Sequence, residues 1–93
     1  MSVRIILSIT ALPGKGTELA LAMAPRLAEV RKEPGCEQYE VFQHTEEPDR
    51  LILLERWTDQ AALAVHAELN RQRPRIGEDL RAGPSKAERF TVE

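Results

Sequence analysis

Hydrophobic and polar positions alternate with period two at the start of the chain, Val3, Ile5, Leu7 and Ile9 falling on one face and Arg4, Ile6, Ser8 and Thr10 on the other. The alternation and its β-branched residues predict a strand over Ser2 to Thr10. Pro13-Gly14-Lys15-Gly16 breaks that pattern, and Thr17 is placed to cap a helix. From Glu18 to Lys32 the apolar residues Leu19, Ala22, Met23, Leu27 and Val30 recur at three and four, with Glu18, Arg26, Glu29 and Lys32 opposite. One amphipathic helix of about four turns follows. It should be kinked near Leu21 to Pro25, because an internal proline removes a hydrogen bond and crowds the carbonyl four residues back.

The stretch from Glu33 to Trp57 reads as a hairpin. Pro34 ends the helix, and Gly35 supplies a turn conformation that a side chain would resist. Strand-like runs at Gln38–Phe42 and Leu51–Trp57 then flank a polar turn through Pro48. The second run is apolar on both faces, which marks a strand covered from both sides. Thr58-Asp59 is a capping signal for a helix over Gln60 to Leu69, with Ala62, Leu63, His66 and Leu69 on one side. A short helical turn through Ile76 and Leu80, a stop at Gly83-Pro84 and a last strand over Ala87 to Val92 complete the chain.

The order strand, helix, strand, strand, helix, strand defines an α+β, ferredoxin-like βαββαβ domain with a four-stranded antiparallel sheet. Right-handed crossovers put both helices on one face and leave the other bare. A second copy packing sheet to sheet would cover it. In a chain of 93 residues one domain over 1–93 is expected, and the single Cys36 excludes an internal disulfide as a source of extra stability. Cys36 follows a turn with nothing in the sequence to lower its pKa and is read as inert. No apolar run is long enough to cross a bilayer, and Met1 to Thr10 is too short for a secretory signal, so the expected location is cytoplasmic and no membrane partner is expected.

The formal net charge of −2 lacks the footprint of a nucleic-acid binder. Arg71, Arg73 and Arg75 form a local basic cluster, but Glu78 and Asp79 follow it, and a solvated, salt-bridged segment is preferred over an anion or substrate contact. Phosphate-cradling loops, dinucleotide fingerprints, paired cysteines and nucleophile elbows are absent. His44 and His66 are not spaced as metal ligands, so neither a metal nor another cofactor is expected.

Four residues remain as candidates for chemistry. Leu51, Leu53, Glu55 and Trp57 share one strand face by parity, and His66 lies on the apolar face of the helix that starts just after Trp57. Folding that helix over the sheet brings Trp57 and His66 together at a cleft. Trp57 reads as core or as a ligand wall. His66 reads as a hydrogen-bonded core residue or a proton-transfer group. Glu55 is ion-paired, or carries a raised pKa suited to acid–base work. Tyr39 either donates a hydrogen bond to a ligand oxygen or contacts a partner chain.

The residues Glu33-Pro34-Gly35-Cys36, Tyr39-Glu40-Val41-Phe42, Leu53-Leu54-Glu55-Arg56-Trp57, Ala62-Leu63 and His66 resemble, in that order, the antibiotic biosynthesis monooxygenase family of the dimeric α+β barrel superfamily. That resemblance implies a homodimer whose two sheets close a barrel, with a pocket between helices and sheet that Trp57 and His66 line. It also implies a range of activities, among them cofactor-independent oxidation of anthrones or quinols by molecular oxygen, haem degradation and isomerisation of a phosphorylated molecule. The chain has Asn70-Arg71 where many relatives carry a second histidine, and no asparagine on its first strand, which sets haem degradation low. The leading expectation is a cofactor-independent monooxygenase acting on a small aromatic quinol or anthrone. In it His66 is the base or orients the substrate oxygen, Trp57 stacks on the substrate, Tyr39 donates a hydrogen bond and Glu55 contributes to binding. The competing expectation is a non-catalytic dimeric ligand-binding or stress-related protein of the same fold.

Overall fold

The computed structural model describes residues 1–92. Its elements run β1 (Ser2–Thr10), α1 (Gly16–Val30), β2 (Cys36–Gln43), β3 (Arg50–Trp57), α2 (Gln60–Gln72), a 3-10 turn (Glu78–Leu80) and β4 (Lys86–Val92). The four strands form one antiparallel sheet in the order β2-β3-β1-β4, the ferredoxin-like α+β arrangement expected from the order of elements. Among the described residues no helix is long and apolar enough to cross a membrane.

Parity decides what the helices cover. On β3, Leu51, Leu53, Glu55 and Trp57 are buried, whereas Ile52, Leu54 and Arg56 between them are half-buried. The buried set pairs across β1 with Ile9, Leu7, Ile5 and Val3, so these eight side chains share the helix-facing side. From above, α1 lays Leu19, Met23, Leu27 and Val30 on the sheet and α2 adds Leu63. Burial of this apolar surface is the main force holding the two layers together.

The opposite face carries Ile6, Ile52 and Leu54 in its centre, with Phe42 and Phe90 toward the edges at 49% and 46% exposure. Charged residues interleave with them, Glu88 and Glu40 ending the row through Ile6 and Leu54. Among the described residues nothing covers this side.

Helix boundaries depart from the sequence reading for identifiable reasons. Thr17 does not cap α1. The helix begins at Gly16 after Lys15, and the acceptor at its start is the Asp49 carboxylate, which takes the backbone N–H of Gly14 at 3.0 Å and of Gly16 at 2.9 Å. The cap is therefore tertiary, supplied by the β2–β3 turn. That turn approaches so closely that a Cβ on Gly16 would lie 2.8 Å from the Asp49 Cα and nearer still to the Pro48 carbonyl. At its other end α1 closes at Val30, where Lys32 and Glu33 bond back only three residues, to Glu29 and Val30. Pro25 sits inside α1 without dividing it, on the exposed side. The cap of α2 is as expected, Asp59 accepting from the Ala62 N–H at 2.8 Å, but the helix runs on to Gln72 and Leu69 is exposed.

Candidate active site

The Pro34-Gly35 turn joins α1 to β2 and sets the position of the site. Gly35 has φ +82°, a left-handed conformation that costs an L residue about 1–2 kcal/mol. Its missing side chain lets the turn press on the first turn of α2, for a Cβ there would reach the Ala62 Cβ. The Gly35 carbonyl also accepts the Thr58 N–H at 2.8 Å. His66 lies one helical turn beyond Ala62 on the same face. Glu33, two residues before Gly35, thereby meets it.

Glu33 Oε1 stands 3.0 Å from His66 Nδ1, and both side chains are almost wholly buried, 8% and 6% exposed. A carboxylate at Nδ1 favours the tautomer with the proton on that nitrogen and leaves the Nε2 lone pair free. Nε2 faces Glu55, whose Oε1 is 4.0 Å away, too far for a hydrogen bond. Glu33 is in turn held by Arg73, with Nη1 2.7 Å from Oε2. Those two atoms are close but poorly aligned as donor and acceptor, so the contact is an ion pair rather than a directed hydrogen bond.

Glu55 accepts the Trp57 indole N–H at 3.0 Å, a bond that their two-residue spacing on one strand permits. Burial pushes the Glu55 carboxyl above the ordinary glutamate value, while the Trp57 hydrogen bond and the His66 ring oppose the rise and Glu33 adds to it. Trp57 has no exposed surface. It stacks behind the imidazole with ring centroids 4.5 Å apart and planes 27° from parallel. Tyr39, paired with Glu55 across β2 and β3, sets its ring edge-on to both, 5.5 Å from His66 and 6.4 Å from Trp57. Its phenol is pushed above the ordinary tyrosine value by burial first and then by Glu55 and Glu33, so it stays a donor. Among the described residues its hydroxyl has no hydrogen-bond partner.

A cavity of about 1000 Å³ opens between α1, α2 and the sheet, at the upper end of the ordinary range for small-ligand sites, roughly 300–1,000 Å³. Ile5, Leu7, Met23, Leu27, Leu53 and Leu63 make its apolar wall, and Tyr39, Glu55 and His66 face it from one side. The segment from Arg73 to Ser85 forms the rim. Among the described residues no group of three or more His, Cys, Asp or Glu is assembled to hold a metal ion.

The four residues singled out in the sequence therefore come together, but not in equal positions. Tyr39, Glu55 and His66 line the cavity, whereas Trp57 lies behind His66 and out of reach of a ligand. Glu33 and Arg73 were missed. The signal for Glu33 was its place three residues after Val30, which continues the buried stripe of α1 past the helix end. Arg73 was masked by its neighbours. Arg71 and Arg75 do form surface pairs, with Glu68 and Glu78 respectively, while Arg73 turns inward. Cys36 is free and half-buried, its thiol pushed up by burial and then by Glu33 and Glu55.

Fold and site together define a class: a small α+β domain that sets a carboxylate-oriented imidazole against an apolar cavity. The family model for antibiotic biosynthesis monooxygenase matches residues 2–73, and the chain belongs to that family. No curated protein sequence matches it. Among solved structures, a protein from Pseudomonas aeruginosa is 28% identical, with 99% of this chain and 94% of that one aligned at a TM-score of 0.80. A Nitrosomonas europaea protein named for the same family is 21% identical over 98% of this chain and 89% of its own, at 0.84. One from Mycobacterium tuberculosis is 22% identical over 100% and 96%, at 0.79. The last two likenesses concern the fold alone.

Proposed function

We propose that this chain is a cofactor-independent monooxygenase that oxidises a small aromatic of the quinol or anthrone type with molecular oxygen. The observation that supports the reading is the convergence of His66 Nε2, the Glu55 carboxyl and the unpartnered Tyr39 hydroxyl on one wall of an apolar cavity. Glu33 holds the Nδ1 proton, so Nε2 takes a proton from the substrate's acidic C–H or O–H. Apolar walls leave the resulting anion poorly solvated and electron-rich, and Tyr39 donates to its oxygen.

For an anthrone, the carbanion passes an electron to O2, and the two radicals combine into a peroxide. The imidazolium returns its proton to that peroxide. The O–O bond then breaks as the remaining C–H proton leaves, so that one methylene and one O2 become one carbonyl and one water. Trp57 acts in this scheme as the platform behind the imidazole.

The test is oxygen uptake on a panel of anthrones and quinols, with anaerobic controls. His66→Ala should lower the rate by about 10²–10⁴-fold, the usual contribution of a positioned acid–base group. Oxygen-independent turnover, or unchanged rates in the variant, would refute the scheme, and no turnover anywhere on the panel would leave a non-catalytic ligand-binding protein of the same fold. We further infer that two copies close sheet to sheet over Ile6, Ile52, Leu54 and Phe42, the homodimer that the family resemblance implies. Leu54→Glu should convert a dimer into monomers in sedimentation equilibrium, and a wild-type monomer would remove this inference.

A further inference from the structure

The charges around the cavity do not follow those of the chain. Although the protein carries a formal net charge of −2, the cavity is lined by five arginines, Arg26, Arg71, Arg73, Arg75 and Arg81, against the two acids Glu55 and Glu78. Four of the five are already neutralised. Arg26 Nε lies 3.1 Å from Glu29, Arg73 Nη1 2.7 Å from Glu33, Arg75 Nη1 2.8 Å from Glu78, and Arg71 pairs with Glu68.

Arg81 is different. Its backbone is fixed, bridging antiparallel to Ala11 just beyond β1, with its N–H given to Glu78 and the next N–H, that of Ala82, given to Thr10. Ala11 continues the helix-facing parity of β1, so the Arg81 side chain starts on the cavity side of the sheet. Among the described residues its guanidinium meets no carboxylate and no hydrogen-bond acceptor, and its Nε is buried with its N–H unmet. A buried N–H without an acceptor is costly, and one on a cation more so. Such groups are few in folded proteins, and each calls for a partner from outside the chain, a water, an ion or a ligand.

We infer that the ligand of this cavity is an aromatic carboxylate, and that Arg81 holds its carboxylate group. A guanidinium presents Nε–H and one Nη–H as a planar fork that matches two carboxylate oxygens. The rest of the cavity accepts the ring: leucine, isoleucine and methionine side chains line it, with the proton-transfer groups on one wall. This inference deepens the proposed function by adding an anionic substituent to the quinol or anthrone. Arg81 is thus a binding residue that sets specificity and takes no proton.

The experiment is anaerobic calorimetric titration, in which oxygen chemistry plays no part, of the full chain with an anthracene carboxylate, its carboxamide and an anthracenyl phosphate. Wild type should hold the carboxylate at least about tenfold tighter than the carboxamide, a factor equivalent to about 1.4 kcal/mol. Arg81→Gln should remove that difference and leave the carboxamide unchanged. Arg81→Lys, which keeps the charge and loses the fork, should restore only part of it. Equal binding of acid and amide by wild type overturns the inference, as does an equal loss for both ligands in each variant. Tighter binding of the phosphate than of the carboxylate overturns the planar-fork assignment. Acid selectivity without oxygen uptake would reject the oxygenase and keep this site, whereas uptake without acid selectivity would do the reverse.

Discussion

Replacing Glu55 by Gln separates the charge of this residue from its hydrogen bond. The amide oxygen can still accept the Trp57 indole N–H, now 3.0 Å from Oε1, and the volume is nearly unchanged. What disappears is the titration. Burial holds the folded carboxyl above the ordinary glutamate value despite the Trp57 bond and His66, so the folded state binds this proton more tightly than the unfolded chain does. A group with a raised folded pKa contributes stability that is fully present below its unfolded value and is lost as pH rises through the folded value. The wild type should therefore lose stability relative to Glu55→Gln as the pH rises above the ordinary glutamate value of 4.5.

Each unit by which the folded value exceeds the free one separates the curves by about 1.4 kcal/mol. For a domain of this size that corresponds to about 4–8 °C in Tm for each kcal/mol. Urea titrations followed by circular dichroism at pH 4, 5, 6, 7 and 8 would measure the difference, in which the other carboxylates cancel. Parallel curves, or a variant that loses stability faster than the wild type as pH rises, would show that the buried carboxyl is not strained by its ionisation.

Two further substitutions test how the site is positioned. Gly35→Ala should destabilise by at least about 1–2 kcal/mol from its backbone conformation alone, and by more from the contact with Ala62. In proton-detected spectra it should also shift the His66 ring resonances; an unchanged midpoint with unchanged His66 signals would contradict the account of the turn. Asp49→Ala removes the acceptor for the Gly14 N–H and for the Gly16 N–H that opens α1 and should cost about 1–2 kcal/mol, whereas Thr17→Ala should cost less than about 0.5 kcal/mol. Urea midpoints decide between them, and the reverse order would restore Thr17 as the cap.

Most of the fold was legible because period two and period three-to-four are direct images of strand and helix. Val3 to Ile9 and Leu51 to Trp57 carry their parity openly, and from parity the nearness of Trp57 to His66 follows, whereas the register that sets Tyr39 opposite Glu55 came only with the structure. The cap of α1 was not legible, because Asp49 lies 33 residues from the N–H of Gly16 that it meets, and local reasoning assigns such a role to a neighbour. The depth of Trp57 was hidden for a related reason. Sequence shows which face a side chain takes, but not which of two residues on facing elements lies outermost. Arg73 needed the extension of α2 to Gln72 before its turn toward Glu33 could be seen, and Arg81 needed the bridge to Ala11.

The packing of Trp57 against His66 gives this protein a reporter of its own. Trp57 is the only tryptophan in the chain, it is sealed from water, and one face of its ring lies against the imidazole at 4.5 Å. Its emission is therefore shielded from bulk quenchers and sensitive to its neighbour. A protonated imidazole quenches an excited indole far more effectively than a neutral one. A change of proton at His66 would thus be read as light, without label or mutation, from the face of the ring that the cavity does not reach.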